Sequence, residues 1–156
     1  MREFVGERIM FFLATADGEG HTDCSPRLGP QGFVNVLEAD RIAYPEYRGN
    51  GVHASLGNIE ENPNASLTFV DWWDTTVGLH VNGTASLHDG LDGAVDPADT
   101  GRRKVWVRID VEEAYVHCAK HLPRLSIEAF DPPWGTDDET AKRTGFFDGT
   151  PARREL

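Results

Sequence analysis

The sequence predicts a mainly β, single-domain protein with antiparallel strands, a small barrel or sandwich. Most apolar residues recur at every second position, and Gly, Asp and Pro clusters separate these runs. Only one internal segment has a helical repeat, and about seven short strands can be counted. A chain of 156 residues is long enough for one sizeable core, and 39 % hydrophobic residues predict a packed globule.

The elements follow in chain order. A short helix is expected over Arg2–Arg8. "IMFFLATA" and "TDCSPR" read as two strands joined by a tight turn at Asp17-Gly18-Glu19-Gly20. "GFVNVLE" and "RIAYPE" are the next two. Val52, Leu56 and Ile59 recur at i, i+4 and i+7, which predicts a helix ended by Asn62-Pro63. In "NASLTFVD", Ala65, Leu67 and Phe69 alternate with Ser66, Thr68 and Val70. In "VGLHVNGTASL", Val77, Leu79, Val81, Ala85 and Leu87 share a face. "HDGLDGAVDPADTGRR" reads as an exposed loop. In "KVWVRIDV", Val105, Val107, Ile109 and Val111 share a face. Residues 1–122 are expected to form the folded domain. Residues 123–156 are expected to be an aromatic tail, with Ile127, Phe130, Trp134, Phe146 and Phe147, packing on the barrel or on a dimer partner.

Charge and composition narrow the function. A net charge of −11 argues against a nucleic-acid or anionic-membrane surface, since both need basic patches. No run reaches the roughly 18 apolar residues of a membrane span, and the N-terminus has no evident signal-peptide cleavage site. Two cysteines are too few for a disulfide framework. A cytoplasmic protein with free thiols is therefore expected. Cys24 is expected to be a small buried apolar residue, with nothing to activate it as a nucleophile. Ser25 lacks the setting of a hydrolase nucleophile.

The chemistry concentrates in "EYRGNGVHASLGNIEENP", Glu46 to Pro63. Glycines let a backbone approach an anion closely, and a helix start offers unpaired N–H groups. Arg48 can supply a two-pronged donor, with Asn50 and Ser55 beside it and Arg27 as a second clamp. Gly49-Asn50-Gly51-Val52-His53-Ala54 also fits G-x-G-x-x-A, with Asp71 placed for a ribose hydroxyl. That NAD-binding reading needs a parallel βαβ sheet, which the alternating strands oppose.

These residues resemble a family. "FFLATADGEGHTDCSPRLGPQGFVNV", "RIAYPEYRGNGVHASLGNIEENPNASLTFVDW", "LHVNGTASL" and "VWVRIDVEEAYVHCAKHLPRL" occur in the order found in the pyridoxamine 5'-phosphate oxidase-like, FMN-binding split barrels. The resemblance implies a six-stranded antiparallel split β-barrel with one or two short helices. It implies a homodimer with FMN at the subunit interface and a small-molecule substrate. Relatives use a deazaflavin coenzyme or haem instead. The cofactor-binding residues implied are Arg27, Tyr44, Pro45, Arg48, Asn50, Ser55 and Leu56. The oxidases proper open this helix with an Arg-Lys pair where Ala54-Ser55 stands here. They also end in a tryptophan and an Arg-Leu-x-Pro motif that are absent here, so the substrate is left unassigned.

A bound flavin would carry the redox chemistry itself. Candidate catalytic groups on the substrate side are His117 and Lys120, with His121 nearby. His117, Cys118 and His121 could also serve as zinc ligands, but no second ligand group has the right spacing, and no metal is expected. Trp72 and Trp73 fall at a turn and could stack on a ring or fill an interface.

Overall fold

The computed structural model describes residues 1–47, 53–98, 105–117, 120 and 122–128. Among them are two helices and seven strands: α1 (Arg2–Gly6), β1 (Met10–Ala16), β2 (Thr22–Leu28), β3 (Asn35–Glu38), β4 (Arg41–Pro45), α2 (Ala54–Glu61), β5 (Asn64–Val70), β6 (Gly78–His88) and β7 (Trp106–His117). The strands form one sheet in the order β2-β1-β5-β6-β7-β4-β3. Every pairing is antiparallel. This removes the dinucleotide-binding reading, whose geometry needs parallel strands. Asp71 is occupied differently too: it caps the turn after β5 and pairs with Arg8.

The count of seven strands agrees with the residue pattern and corrects the six implied by family resemblance. β3, only four residues long, is an edge strand beside β4. The β1–β2 hairpin turns where expected. Asp17 N–H and Gly20 N–H close it onto His21 O and Asp17 O, and Gly20 takes the left-handed φ of +90° that the turn needs.

The sheet is open in its pairing yet rolled in space. β1 and β4 are separated by three strands in the sheet order. On a flat sheet they would lie roughly 19 Å apart, at about 4.8 Å per step. Instead the rings of Phe11 and Tyr44 meet edge to face at 4.9 Å. The rolled interior holds Phe11, Leu13, Phe33, Tyr44, Leu67, Phe69, Leu79, Val107 and Ile109, all nearly inaccessible to water. Apart from Phe33, which precedes β3, these are the residues of one alternation phase in each strand, as period-two patterning requires. This architecture is a split β-barrel.

Two details shape the barrel. The β6–β7 register shifts between Asn82 and Gly83, where a Cβ on Gly83 would meet Asp110 O at 2.1 Å. Glycine is what allows the strands to approach so closely at this bulge. Helix α2 lies against the β1–β2 side. Asn58 Nδ2 donates to Thr15 Oγ1 at 3.0 Å, and Gly18 N–H donates to Glu61 Oε2 at 3.0 Å. It stops at Asn62-Pro63, as expected. Of the expected helical stripe, Ile59 is buried, Leu56 packs on the core edge, and Val52 lies outside the described residues.

The segment after β7 begins against its own barrel. Arg124 Nη2 donates to Asp74 O, and Leu125 N–H donates to Trp72 O at 2.7 Å. The rest of the expected tail, from residue 129 onward, lies outside the described residues. No helix among the described residues is long and apolar enough to cross a membrane.

Candidate functional site

The site begins with the alternation of β2. Thr22, Cys24 and Pro26 face outward and are exposed, while Asp23, Ser25 and Arg27 are partly covered. The exposure of Cys24 corrects the expectation that it is buried. β2 is an edge strand, and no other part of the described chain covers its outer face. A proline is tolerated at Pro26 for the same edge reason.

Rolling the sheet brings the inner face of β2 onto the end of β4 and the start of α2. Arg27 Nε donates to Glu46 Oε2 at 2.8 Å, and only 15 % and 11 % of these two side chains is exposed. Arg27 Nη1 donates to Ser25 Oγ at 2.8 Å. Ser25 Oγ lies 3.3 Å from Ser55 Oγ, and Ser55 donates to Asp23 Oδ2 at 2.8 Å. One chain of polar contacts thus joins Glu46, Arg27, Ser25, Ser55 and Asp23. Ser55 is buried in the first turn of α2, and His53 before it adopts a left-handed backbone, φ 54°.

Burial sets the electrostatics. Desolvation pushes the Glu46 carboxyl above its ordinary 4.5, against the pull of Arg27 and, more weakly, His53. Tyr44, on the same strand, is wholly buried. Desolvation and the Glu46 charge push its phenol far up. Its hydroxyl lies against Arg27 without reaching a well-formed hydrogen bond.

The structure therefore brings Arg27, Tyr44, Ser55 and Leu56 to one corner of the molecule, with Pro45 buried beside Tyr44 on β4. Tyr44 serves there as core, packed on Phe11. Arg48 and Asn50 lie outside the described residues. His117 ends β7, its backbone paired with Gly78, and its side chain is outside what is described. Lys120 is exposed at a turn, and Cys118 and His121 lie outside the described residues. Among the described residues no group of three or more His, Cys, Asp or Glu side chains is placed to hold a metal.

Glu46, Asp23 and Ser25 join the site without having been singled out as binding residues. The alternation of "TDCSPR" was the available signal, since it puts Asp23, Ser25 and Arg27 on one face. A separate groove of about 480 Å³ lies between β3, β4 and β7, lined by residues including Val36, Arg41, Leu91 and Arg108. It includes none of the expected cofactor-binding residues.

The sequence profile described as pyridoxamine 5'-phosphate oxidase matches residues 1–118. The chain belongs to that family. No curated protein sequence matches it. Among solved structures it is similar to HupZ from Group A Streptococcus, with 21 % identity over 81 % of this chain and 96 % of that one, TM-score 0.57. It is similar to a Lactobacillus delbrueckii protein provisionally described as a pyridoxamine 5'-phosphate oxidase, with 22 % identity over 74 % and 92 %, TM-score 0.52. It is also similar to HutZ, the haem storage protein of Vibrio cholerae, with 18 % identity over 73 % and 89 %, TM-score 0.52. At these identities the likeness is one of fold.

Proposed function

We propose that this protein binds FMN where β2, β4 and α2 meet and acts as a flavin-dependent oxidoreductase on a small molecule. The reading includes a cytoplasmic homodimer with the cofactor between subunits. It also includes a tail, residues 123–156, that begins against its own barrel. The observation that carries the cofactor assignment is the Glu46–Arg27–Ser25–Ser55–Asp23 chain at the start of α2.

The donor set fits a polyhydroxylated chain ending in a phosphate. Arg27 and the Ser55 hydroxyl can donate to phosphate oxygens, and Asp23 can accept from ribityl hydroxyls. Arg48, Asn50 and the glycine loop would complete the phosphate end. Tyr44, Pro45 and Leu56 form the apolar backing that keeps this corner rigid. Bound there, the flavin would supply hydride and electron transfer. The protein's own part is to orient the ring, exclude water from the buried Arg27–Glu46 side and leave a face open. His117 and Lys120 would handle protons on the substrate side.

The test is the visible spectrum of the purified protein, followed by reconstitution. A two-band flavin spectrum, with retention weakened in Arg48→Ala, is expected. A single deazaflavin band would reassign the coenzyme. A Soret band would favour haem, the cargo that HutZ's description names. A colourless chain that takes up none of these overturns the proposal.

A further inference from the structure

We propose that Glu46 is an internal stand-in for the ligand's anion: it holds Arg27 while the site is empty and releases it, by taking up a proton, when a phosphate arrives. The inference rests on the reading above only for where the phosphate docks.

The geometry comes first. Arg27 is the one strong donor cation among the described residues of this corner, and its Nε is committed to Glu46 at 2.8 Å. Its Nη1 is committed to Ser25 and, more weakly, to Pro26 O. An incoming phosphate therefore meets a guanidinium whose charge is already shared with a carboxylate, with Nη2 as the donor left for it among the described contacts. Among the described residues Arg27 is also the only hydrogen-bond donor to the Glu46 carboxylate. The Glu46 backbone N–H is spent on Val105 O.

The charged and titratable groups around Glu46 can be named element by element. Arg27 faces it from β2, with Asp23 further along the same strand. Tyr44 lies on its own strand, and its raised phenol stays neutral. His53 approaches from the start of α2. β7 presents the uncharged Trp106 opposite Pro45. Arg48, two residues on, lies outside the described residues. Once Arg27 turns to another anion, Glu46 is left buried without a hydrogen-bond donor among the described residues and with only the weak pull of His53. A buried carboxylate in that state takes a proton. Its ordinary value is already displaced upward by burial, so the step is short.

The step balances simply. Glu46 carboxylate plus one solvent proton gives the neutral acid, and the ligand's negative charge replaces that of Glu46 beside Arg27. Affinity should therefore rise as pH falls, by up to tenfold per unit, between the Glu46 values of the empty and filled states.

Two probes on the full chain test this: FMN, followed by quenching of its fluorescence, and inorganic phosphate, followed by thermal shift. Both are titrated from about pH 5 to about pH 8 in wild type and Glu46→Gln. The glutamine keeps an acceptor for Arg27 Nε, and circular dichroism checks the fold. The phosphate's own second ionisation, and every group other than residue 46, is common to both proteins, so the ratio of the two profiles isolates Glu46. We expect Glu46→Gln to bind about tenfold tighter at neutral pH, with the ratio closing as pH falls. Infrared difference spectra should show a protonated carboxyl appearing when phosphate is added to wild type and not to Glu46→Gln. Parallel profiles for both probes, or no tightening in Glu46→Gln, overturn the inference. FMN binding with parallel profiles leaves the flavin reading intact and removes this one. A phosphate response of the expected form without FMN binding does the reverse. Binding of neither probe to either protein overturns both.

Discussion

Arg8–Asp71 and Arg27–Glu46 are both arginine–carboxylate pairs with little exposure, yet their settings differ. Asp71 sits at 3.2 Å from Arg8 Nη1 and also receives the Thr75 hydroxyl and the N–H groups of Trp73, Asp74 and Thr75. Burial pushes its carboxyl up, but those hydrogen bonds outweigh burial and hold it well below the usual carboxylate range. Glu46 has one described donor, and burial wins. A carboxylate surrounded by donors is part of the framework, whereas one held by a single guanidinium can be displaced. Hydrogen-bond satisfaction separates the two roles.

The largest expected effect tests the framework pair. Asp71→Ala uncaps the turn between β5 and β6 and takes from the largely covered Arg8 one of its two carboxylates, leaving Glu7. It should cost about 3–5 kcal/mol, read from urea unfolding. Arg27→Ala should cost less, about 1–3 kcal/mol at neutral pH, and that cost should shrink on acidification as Glu46 becomes neutral. Equal costs with the same pH dependence would erase the distinction.

The pH dependence of wild type carries both signs. The folded Asp71 value lies below its ordinary 3.8, so its stabilisation is full above that value and is lost as pH falls toward the folded one. The folded Glu46 value lies above 4.5, so it destabilises the fold as pH rises from there through the folded value. Asp71→Asn should flatten the acid limb of a stability–pH curve, and Glu46→Gln should flatten the limb above it.

Smaller effects sharpen the contrast between α2 and the edge strand. Asn58→Ala removes the half-buried bond to Thr15 and should cost about 1 kcal/mol. Cys24→Ser, on the exposed face of β2, should change stability by less than about 0.5 kcal/mol. A larger loss there would mean that the outer face of β2 is covered in solution.

Much of the fold was legible in the sequence. The alternation in "NASLTFVD" and "VGLHVNGTASL" placed Leu67, Phe69, Leu79 and Val81 on the core face, where they are found. The Asp17–Gly20 turn and the Asn62-Pro63 stop fell where local chemistry put them. The site was less legible. "SPR" and the glycine loop drew attention to Arg27 and Ser55, but nothing local in "AYPEYR" marks Glu46 as the partner of Arg27, 19 residues earlier. Cys24 was misplaced for a related reason: alternation sorts residues into two faces but does not say which face is covered. Trp106 makes the same point from the opposite side. It alternates with the core residues Val107 and Ile109 yet is buried. The loop after β6 is tied down on the Trp106 face through Asn35 and Val95.

The sequence by itself determined the strands, their antiparallel habit and the two faces of each, with the inward one legible in β5 and β6, because period and turn chemistry are local properties of the chain. Only the tertiary structure decided which charges met. Rolling the sheet carried β2 onto the far end of β4, where Arg27 met the Glu46 carboxylate and burial raised it. Those outcomes depend on solvent exclusion by residues distant in the chain, which a local pattern does not encode.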